Sequence, residues 1–185
     1  MRRPSLRFPP SFPRLLLLSL ALATSACATT RRPPLETVPH VDLQRFMGDW
    51  YVIANIPTSI ERDAYNAVES YALAPDGTIE TTFKFLDGGF DGKEKTYTPR
   101  GFVLDKATNA VWGMQFVWPI KSDYRIVYLT DDYSQTIIGR TKRDYVWIMA
   151  RKPVIPMEDF TRLRALLAQL GYDVKKLRHV PQRWS

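Results

Sequence analysis

The sequence is poor in the side chains that carry most nucleophilic and metal chemistry. Among 185 residues it has one cysteine, Cys27, and two histidines, His40 and His179. A single cysteine has no partner within the chain, so an internal disulfide framework is excluded. Neither histidine stands in a metal-ligand spacing or in a recognisable catalytic motif. We therefore predict no metal site and no cofactor, and we do not predict an enzyme.

The chain also lacks a long hydrophobic run and a strong excess of one charge. Its main apolar stretch, LLLLSLALA at residues 15–23, is too short to span a bilayer as a helix. This stretch follows four arginines without an acid and precedes small residues, which is the arrangement of a secretory signal. Cleavage after residue 26 leaves 22 basic and 19 acidic side chains. This balance does not indicate nucleic-acid binding.

The end of this signal, TSAC at residues 24–27, resembles the lipobox of bacterial lipoproteins, although threonine stands where leucine is usual. The resemblance implies that Cys27 is lipidated and becomes the first residue of the mature chain. We predict a signal peptide at 1–26, a flexible proline-rich tether at 27–40 and a folded domain at 41–185. An ordinary signal peptide that contains a cysteine by chance is the alternative.

Between residues 50 and 151, short runs of β-branched and aromatic residues alternate with turn signals. We count eight strands joined mainly by hairpins, for example around the Pro-Asp-Gly at residues 75–77. No helical pattern of ten residues separates them, which argues against a parallel α/β sheet. The predicted fold class is therefore all-β, an eight-stranded antiparallel up-and-down barrel without an open edge.

A single helix is predicted after the strands. It begins after Pro156 and ends at Gly171. Its apolar residues recur at positions 160, 163, 167 and 170, which makes one stripe that packs on the outside of the barrel.

Three segments in this order resemble the lipocalin family, and in particular its bacterial outer-membrane lipoproteins related to apolipoprotein D. The segments are FMGDWYVIAN (46–55), LTDDYSQTII (129–138) and RDYVWIMARKP (143–153). The resemblance implies that their shared residues are structural: Gly48, Trp50, Tyr51, Thr130, Asp131, Tyr133 and Arg151. In that arrangement the tryptophan plugs one end of the barrel and the arginine stacks on its ring, with a cation–π contact of about 0.5–2 kcal/mol.

The other end of such a barrel is a cup for a small hydrophobic ligand. Strand alternation, phased on Trp50 and aligned to the family, places these side chains inside: Val52, Ala54, Ile56, Ala67, Glu69, Tyr71, Leu73, Ile79, Thr81, Phe83, Phe85, Trp112, Met114, Phe116, Tyr124, Ile126, Tyr128, Thr136, Ile138, Tyr145, Trp147 and Met149. Among them we predict ligand contacts at Phe83, Phe116, Tyr124, Tyr128, Trp147 and Glu69. Packing in a filled core is the alternative for each aromatic residue.

Two inward assignments leave alternatives open. Glu69 faces the interior only if the phase is right, because a slip of one residue makes it a solvated side chain. Segment 116–124 is predicted as a loop at one end of the barrel. Its Trp118 and Ile120 would cover the mouth or enter lipid, and an ordinary hairpin is the other interpretation.

The function predicted from these features is the binding, storage or transport of a fatty acid or lysophospholipid in the bacterial envelope, in support of membrane maintenance. The resemblance implies an outer-membrane protein held by the lipid on Cys27, and relatives of this type can form homodimers. An enzyme acting on a hydrophobic small molecule is one alternative. A structural envelope protein with a filled barrel is another.

Overall fold

The computed structural model describes residues 33–184, whose strands form one antiparallel sheet that closes on itself. In chain order the elements are α1 (Leu43–Phe46), β1 (Gly48–Ile56), β2 (Ala64–Leu73), β3 (Ile79–Asp87), β4 (Lys93–Tyr97), β5 (Arg100–Val103), β6 (Val111–Val117), β7 (Ile120–Leu129), β8 (Gln135–Gly139), β9 (Val146–Ala150), α2 (Met157–Gln169) and β10 (Arg178–His179).

The sheet is the predicted eight-stranded barrel. Each strand pairs with the next, and β9 pairs with β1 to close the ring. β4 and β5 both pair with β3 and together form one strand of the barrel. The interruption between them contains Pro99, which has no N–H to donate to a ladder. The two-residue β10 adds only a short pairing to β1. The predicted fold class is confirmed.

The chain enters the barrel through a short helix and a glycine. The Asp42 carboxylate accepts hydrogen bonds from the backbone N–H groups of Gln44 (2.9 Å) and Arg45 (3.3 Å) and so caps α1. Gly48 then has φ of +89°, a conformation that residues with a Cβ rarely adopt. This glycine turns the chain from the helix into β1.

Apolar side chains bury themselves on both sides of the barrel wall. One cluster fills the closed part of the interior and includes Phe46, Trp50 and Trp112. The second lies between the wall and α2, where Leu163 and Leu167 are fully buried. The predicted helix and its position outside the barrel are thus confirmed, and its apolar stripe is the reason that it packs there.

Two β-bulges change which residues point inward. In β1, Val52 pairs with Met149 and Ala54 with Ile148, so Ile53 is an extra residue. A bulge reverses the alternation beyond it. Ala54 and Ile56, predicted inside, therefore lie in the cluster under α2.

The second bulge lies in β7. Ile126 pairs with Ile138 and Tyr128 with Ile137, so Val127 is the extra residue. Tyr128 consequently faces α2, where its hydroxyl accepts a hydrogen bond from Arg162 Nη1 at 2.6 Å. The predicted inward position of Tyr128 is wrong for this reason.

Segment 116–124 is strand and not a loop. β6 continues to Val117 and β7 begins at Ile120, so that only a two-residue turn remains. Trp118 in this turn is 82% exposed. The segment is therefore a hairpin, as in the alternative interpretation, but its tryptophan is exposed and not packed. The Trp118 ring does not line the cavity, and contact of Trp118 and Ile120 with lipid stays a prediction.

Residues 33–40, predicted as part of the flexible tether, pack on the barrel. Leu35 is buried in the cluster under α2. The Val38 N–H donates to the carbonyl of Ile126 at 3.0 Å, and Arg143 Nη2 donates to the carbonyl of Pro33 at 2.8 Å. The prediction of a flexible tether therefore fails for this part of it.

The predicted signal peptide and Cys27 lie outside the described residues. Within residues 33–184, neither helix has the length and apolar character required to cross a membrane.

Candidate functional site

The closed end of the barrel is built around Trp50, which has no exposed surface. Its indole N–H donates to the carbonyl of Phe46 at 2.8 Å. The Arg151 guanidinium lies 3.9 Å from the centroid of the indole ring. Arg151 also donates to backbone carbonyls of the segment that leads into β1, among them those of Met47 (2.8 Å) and Asp49 (2.7 Å). One arginine thus ties the entry of the chain to the end of β9.

The turn between β7 and β8 completes this end. Thr130 Oγ1 accepts hydrogen bonds from the N–H groups of Ser134 and Gln135, both at 3.0 Å. The carbonyl of Asp131 accepts from Arg45, whose guanidinium lies 4.0 Å from the Tyr133 ring centroid. Sequence motifs far apart in the chain meet here. Tyr51, by contrast, points outward, and its ring contacts Trp184 edge-on.

A cavity of about 300 Å³ opens at the opposite end of the barrel. Its wall combines aromatic and apolar side chains with a few polar ones: Thr58, Ile60, Glu61, Glu69, Thr81, Phe83, Pro99, Met114, Phe116, Ser122, Asp123, Tyr124, Arg140, Tyr145 and Trp147. The connection β1–β2, the hairpin β6–β7 and the connection β8–β9 all contribute to its rim. A mostly apolar, concave site with few polar groups is typical of small-molecule binding.

Five of the six predicted ligand contacts line this cavity. They are Phe83, Phe116, Tyr124, Trp147 and Glu69. Phe83 and Tyr124 are buried in the wall, whereas Phe116 is 50% exposed and stands at the rim. Tyr128 does not belong to the cavity, because the bulge in β7 turns it outward.

Glu69 faces the interior and heads a chain of hydroxyl groups. Tyr71 donates its hydroxyl proton to the Glu69 carboxylate. The hydroxyl oxygens of Tyr71 and Tyr124 lie 2.6 Å apart. Since the one proton of Tyr71 serves Glu69, the Tyr124 hydroxyl is the donor in this second bond. The chain leads from a deep carboxylate to an aromatic ring in the cavity wall.

A second carboxylate, that of Glu61, lies under the rim and is 3% exposed. It accepts hydrogen bonds from the Thr58 N–H and from the Trp147 indole N–H, both at 2.9 Å. These two bonds hold the connection β1–β2 against β9. They also orient the Trp147 ring, which forms part of the cavity wall.

Burial disfavours the ionised form of both carboxylates. It raises the pKa of Glu61, and hydrogen bonds from Thr58 and Trp147 partly offset the rise. Burial also raises the pKa of Glu69 to about 7; the Tyr71 hydrogen bond opposes this rise and the Glu61 charge adds to it. The Glu69 side chain is half-buried and borders the cavity.

Two charged groups of the cavity wall, Asp123 and Arg140, form ion pairs with residues outside it. Asp123 accepts from Arg125 Nε (2.9 Å) and from the Thr141 N–H (2.7 Å). Arg140 Nε lies 3.5 Å from an Asp144 oxygen. Arg140, the one basic side chain in the cavity wall, thus forms an ion pair with Asp144, although its buried Nε has no hydrogen-bond partner among residues 33–184. Glu61 and Glu69 form no ion pair among the same residues.

Strand alternation did not identify the residues that the connections contribute. Thr58, Ile60 and Glu61 come from the connection β1–β2, where period two does not apply, and a glutamate there is easily taken for a solvated side chain. Arg140, at the start of the connection β8–β9, was missed for the same reason. Pro99, which lies in the break between β4 and β5, was also missed. The described residues contain no group of three or more histidine, cysteine or acidic side chains that could hold a metal ion.

The closed aromatic end, the stacked arginine and the open cavity agree with the comparison to protein families. The family described as "Lipocalin-like domain" matches residues 41–182. The chain belongs to the lipocalin family. Lipocalins bind small hydrophobic ligands.

Relatives of this lipocalin occur in bacteria, plants and animals. It is 28% identical to outer membrane lipoprotein Blc of Citrobacter freundii, with 92% of this chain and 96% of that protein covered. It is 31% identical to apolipoprotein D of Bos taurus, over 89% and 93% of the two chains. Temperature-induced lipocalin-1 of Arabidopsis thaliana is 29% identical over 83% and 86%.

Solved structures show the same fold at lower identity. Insecticyanin from the tobacco hornworm Manduca sexta superimposes with a TM-score of 0.64 at 15% identity, over 83% of this chain and 86% of that one. The cockroach allergen Per a 4 gives a TM-score of 0.61 at 20% identity, over 83% and 96%.

Proposed function

We propose that this lipocalin binds a lipid-like ligand in the bacterial cell envelope, and that it stores or carries the ligand in support of membrane maintenance. The cavity at the open end of the barrel supports this proposal most directly. Its wall includes the aromatic rings of Phe83, Tyr124 and Trp147, which suit an alkyl chain. Fatty acids and lysophospholipids both provide such a chain, and each buried methylene contributes about 0.8 kcal/mol.

The size of the cavity bears on the alternatives. About 300 Å³ corresponds to roughly ten groups of the size of a water molecule, which is more than a filled barrel would leave. It is also at the lower end of the range for ligand pockets. A compact chain, or the first part of a longer one, suits this volume. Binding and transport are the general roles of lipocalins, which favours binding over catalysis here.

Truncation of Trp147 is expected to weaken ligand binding selectively. We predict that Trp147→Ala lowers the affinity for a fluorescent fatty acid or a lysophospholipid about tenfold, because removal of an aromatic anchor commonly costs more than 1 kcal/mol. Titration followed by fluorescence measures the dissociation constant. Trp147→Phe keeps an aromatic ring but loses the hydrogen bond to Glu61, and it separates these two contributions.

Tyr128→Ala is the matched control, because this ring lies outside the barrel against Arg162. The affinity of Tyr128→Ala for the same ligands should stay within about twofold of that of the unmodified protein. Absence of binding below about 100 micromolar for every fatty acid and lysophospholipid tested, with the protein folded, would refute the proposed function. Equal losses in the Trp147 and Tyr128 variants would place the ligand elsewhere.

The position in the envelope is proposed from the N-terminal sequence and from the relatives. Cys27 follows the small residues of a signal sequence, and the relatives of this chain include proteins named outer membrane lipoprotein. Ala28 follows the cysteine, whereas lipoproteins with aspartate at that position tend to stay in the inner membrane. We therefore propose lipidation of Cys27 and anchoring at the outer membrane.

Cys27→Ser should abolish this anchor. We expect the variant to lose labelling by radioactive palmitate and to leave the outer-membrane fraction, because serine lacks the thiol that is acylated. Labelling and fractionation of cells that produce each form measure both effects. Ser25→Ala, in which the cysteine is kept, is the control. Equal labelling of the Cys27 variant would contradict lipidation at this residue.

A further inference from the structure

We infer that the ligand of this cavity carries a protonated amine at the end that enters the barrel, and that Glu61, Glu69 and Thr81 bind this nitrogen. The inference rests on the proposed function and narrows its ligand class. It begins from the charges of the cavity wall, which holds three acidic side chains and one arginine. Asp123 and Arg140 of this set are paired with Arg125 and Asp144.

The remaining acids point into the same apolar space without a cation of their own. None of the ion pairs among the described residues includes Glu61 or Glu69. Their partners are neutral donors: Thr58 and Trp147 for Glu61, and Tyr71 for Glu69. Two carboxylates in the wall of one apolar cavity are costly unless a positive charge balances them.

An unpartnered hydroxyl group in the cavity wall can also accept a hydrogen bond from such a ligand. Thr81 lies on β3 in the cavity wall and is 4% exposed. Its Oγ1 has no hydrogen-bond partner among residues 33–184. Buried polar atoms are nearly always satisfied by protein, water or ligand. A ligand that donates a hydrogen bond at this depth would satisfy the Thr81 oxygen.

A primary ammonium group matches this set of acceptors. It carries three N–H donors and one positive charge, and the cavity offers two carboxylates and the unpartnered hydroxyl oxygens of Thr58 and Thr81. An alkyl chain placed against the same groups would remove their water without replacing its hydrogen bonds. A fatty-acid carboxylate that entered first would add a third negative charge. The amine end is therefore the one that the wall favours.

The experiment compares amphiphiles that share one chain and differ in the end group. Decylamine, decanol and decanoic acid are titrated into the protein by calorimetry at pH 8, below their micelle concentrations. We expect decylamine to bind at least about tenfold more tightly than decanoate, since close buried charge pairs are worth upward of 1.5 kcal/mol. Decanol, which donates but is uncharged, should fall between them.

Two variants and a control assign the preference to the carboxylates. Glu69→Gln and Glu61→Gln keep size and a hydrogen-bond acceptor, and each should reduce the preference for decylamine about tenfold. Glu94→Gln, on the outer face of β4, should leave it unchanged. Thermal melting of each variant verifies folding.

Proton release gives an independent readout. With the pKa of Glu69 at about 7, decylamine binding at pH 7 should release roughly half a proton from this group, and decanol should release none. Titration in buffers of different ionisation enthalpy measures the number. The groups that face Glu69 are Tyr71, Tyr124 and Glu61, and burial raises the pKa of both tyrosines well above their usual range. The proton therefore comes from Glu69 or Glu61.

The outcomes separate this inference from the proposed function. Decanoate binding as tight as that of decylamine would overturn the inference and leave lipid binding intact. A preference for decylamine that survives both glutamine substitutions would also overturn it. Failure of all three amphiphiles, of fatty acids and of lysophospholipids to bind would overturn the proposed function itself.

Discussion

Trp50→Ala is expected to lower the free energy of unfolding by about 3–5 kcal/mol, the usual cost of truncating a large buried aromatic side chain. The ring has no exposed surface. It packs on Phe46 with ring centroids 4.9 Å apart and lies under the Arg151 guanidinium. The substitution empties this space and leaves the Phe46 carbonyl without the indole donor. Denaturant titration measures the loss.

Two further variants show how much of this loss of stability depends on burial of the ring and how much on its contact with Arg151. Trp118→Ala removes the same side chain from an 82% exposed position and should change stability by less than about 0.5 kcal/mol. Arg151→Ala keeps the core volume and loses one cation–π contact and several hydrogen bonds, so we expect an intermediate cost of about 1–3 kcal/mol.

Trp50→Ala also tests the division of the barrel into a scaffold end and a binding end. Trp50 does not line the cavity. The folded fraction of Trp50→Ala should therefore bind ligand with near-normal affinity, whereas Trp147→Ala should not. A Trp50 variant with full stability but no binding would contradict the closed-end assignment.

The architecture was readable from the sequence because its signals are local or repeat in a fixed order. Alternating apolar residues and turn residues specify strands and hairpins. Gly48, which the resemblance names as structural, has a φ of +89°, a conformation that glycine adopts without strain. The stripe along α2 specifies a face that must be covered. Each of these signals depends on a few neighbouring residues, so no tertiary information was required.

The bulges are the features that the sequence did not reveal. Ile53 and Val127 are β-branched residues that suit a regular strand, and neither is marked by a glycine or a proline. Their extra position follows from the closure of the barrel, which sets the register of β1 against β9 and of β7 against β8. This is why Tyr128, Ala54 and Ile56 were assigned to the wrong face.

The cavity was predictable only where regular strands form it. Phe83, Tyr124, Trp147 and Glu69 followed from strand alternation once its phase was taken from the resemblance to lipocalins. Glu61 could not be found in this way, because its burial depends on how the connection β1–β2 folds back over β9 to meet the Trp147 indole. Connections bring polar residues to the mouth of a barrel. They have no regular spacing that would mark those residues in the sequence.

Glu69→Gln is expected to stabilise the protein at pH 8 by at most about 3 kcal/mol and to leave its stability nearly unchanged at pH 4.5. The pKa of Glu69 is about 7 in the folded protein against an ordinary value of 4.5, and a difference of this size corresponds to about 3 kcal/mol. Glu69 is half-buried and borders the cavity, which makes the figure an upper bound. Glutamine retains an acceptor for the Tyr71 hydroxyl and carries no charge.

The stability of the unmodified protein relative to Glu69→Gln falls as the pH rises, because the pKa of Glu69 is raised in the folded protein. Below pH 4.5 the carboxyl is protonated in both the folded and the unfolded chain, so its charge costs nothing. Between pH 4.5 and 7 the unfolded chain ionises first and stability falls as the pH rises. Above pH 7 the folded protein carries the buried charge, and the full cost is present. Burial raises the pKa of Glu61 in the same direction, so Glu61→Gln should show the same trend.

Comparison of each variant with the unmodified protein at the same pH isolates this contribution, because aspartates with lowered pKa, such as Asp132, affect both equally. Denaturant titrations at pH 4.5, 6 and 8 should show a stability difference that grows with pH for Glu69→Gln and stays flat for the exposed Glu94→Gln. A difference that is the same at pH 4.5 and pH 8 would mean that Glu69 titrates normally. Addition of decylamine should remove the advantage of the variant at pH 8, since a bound cation balances the charge that otherwise destabilises the barrel.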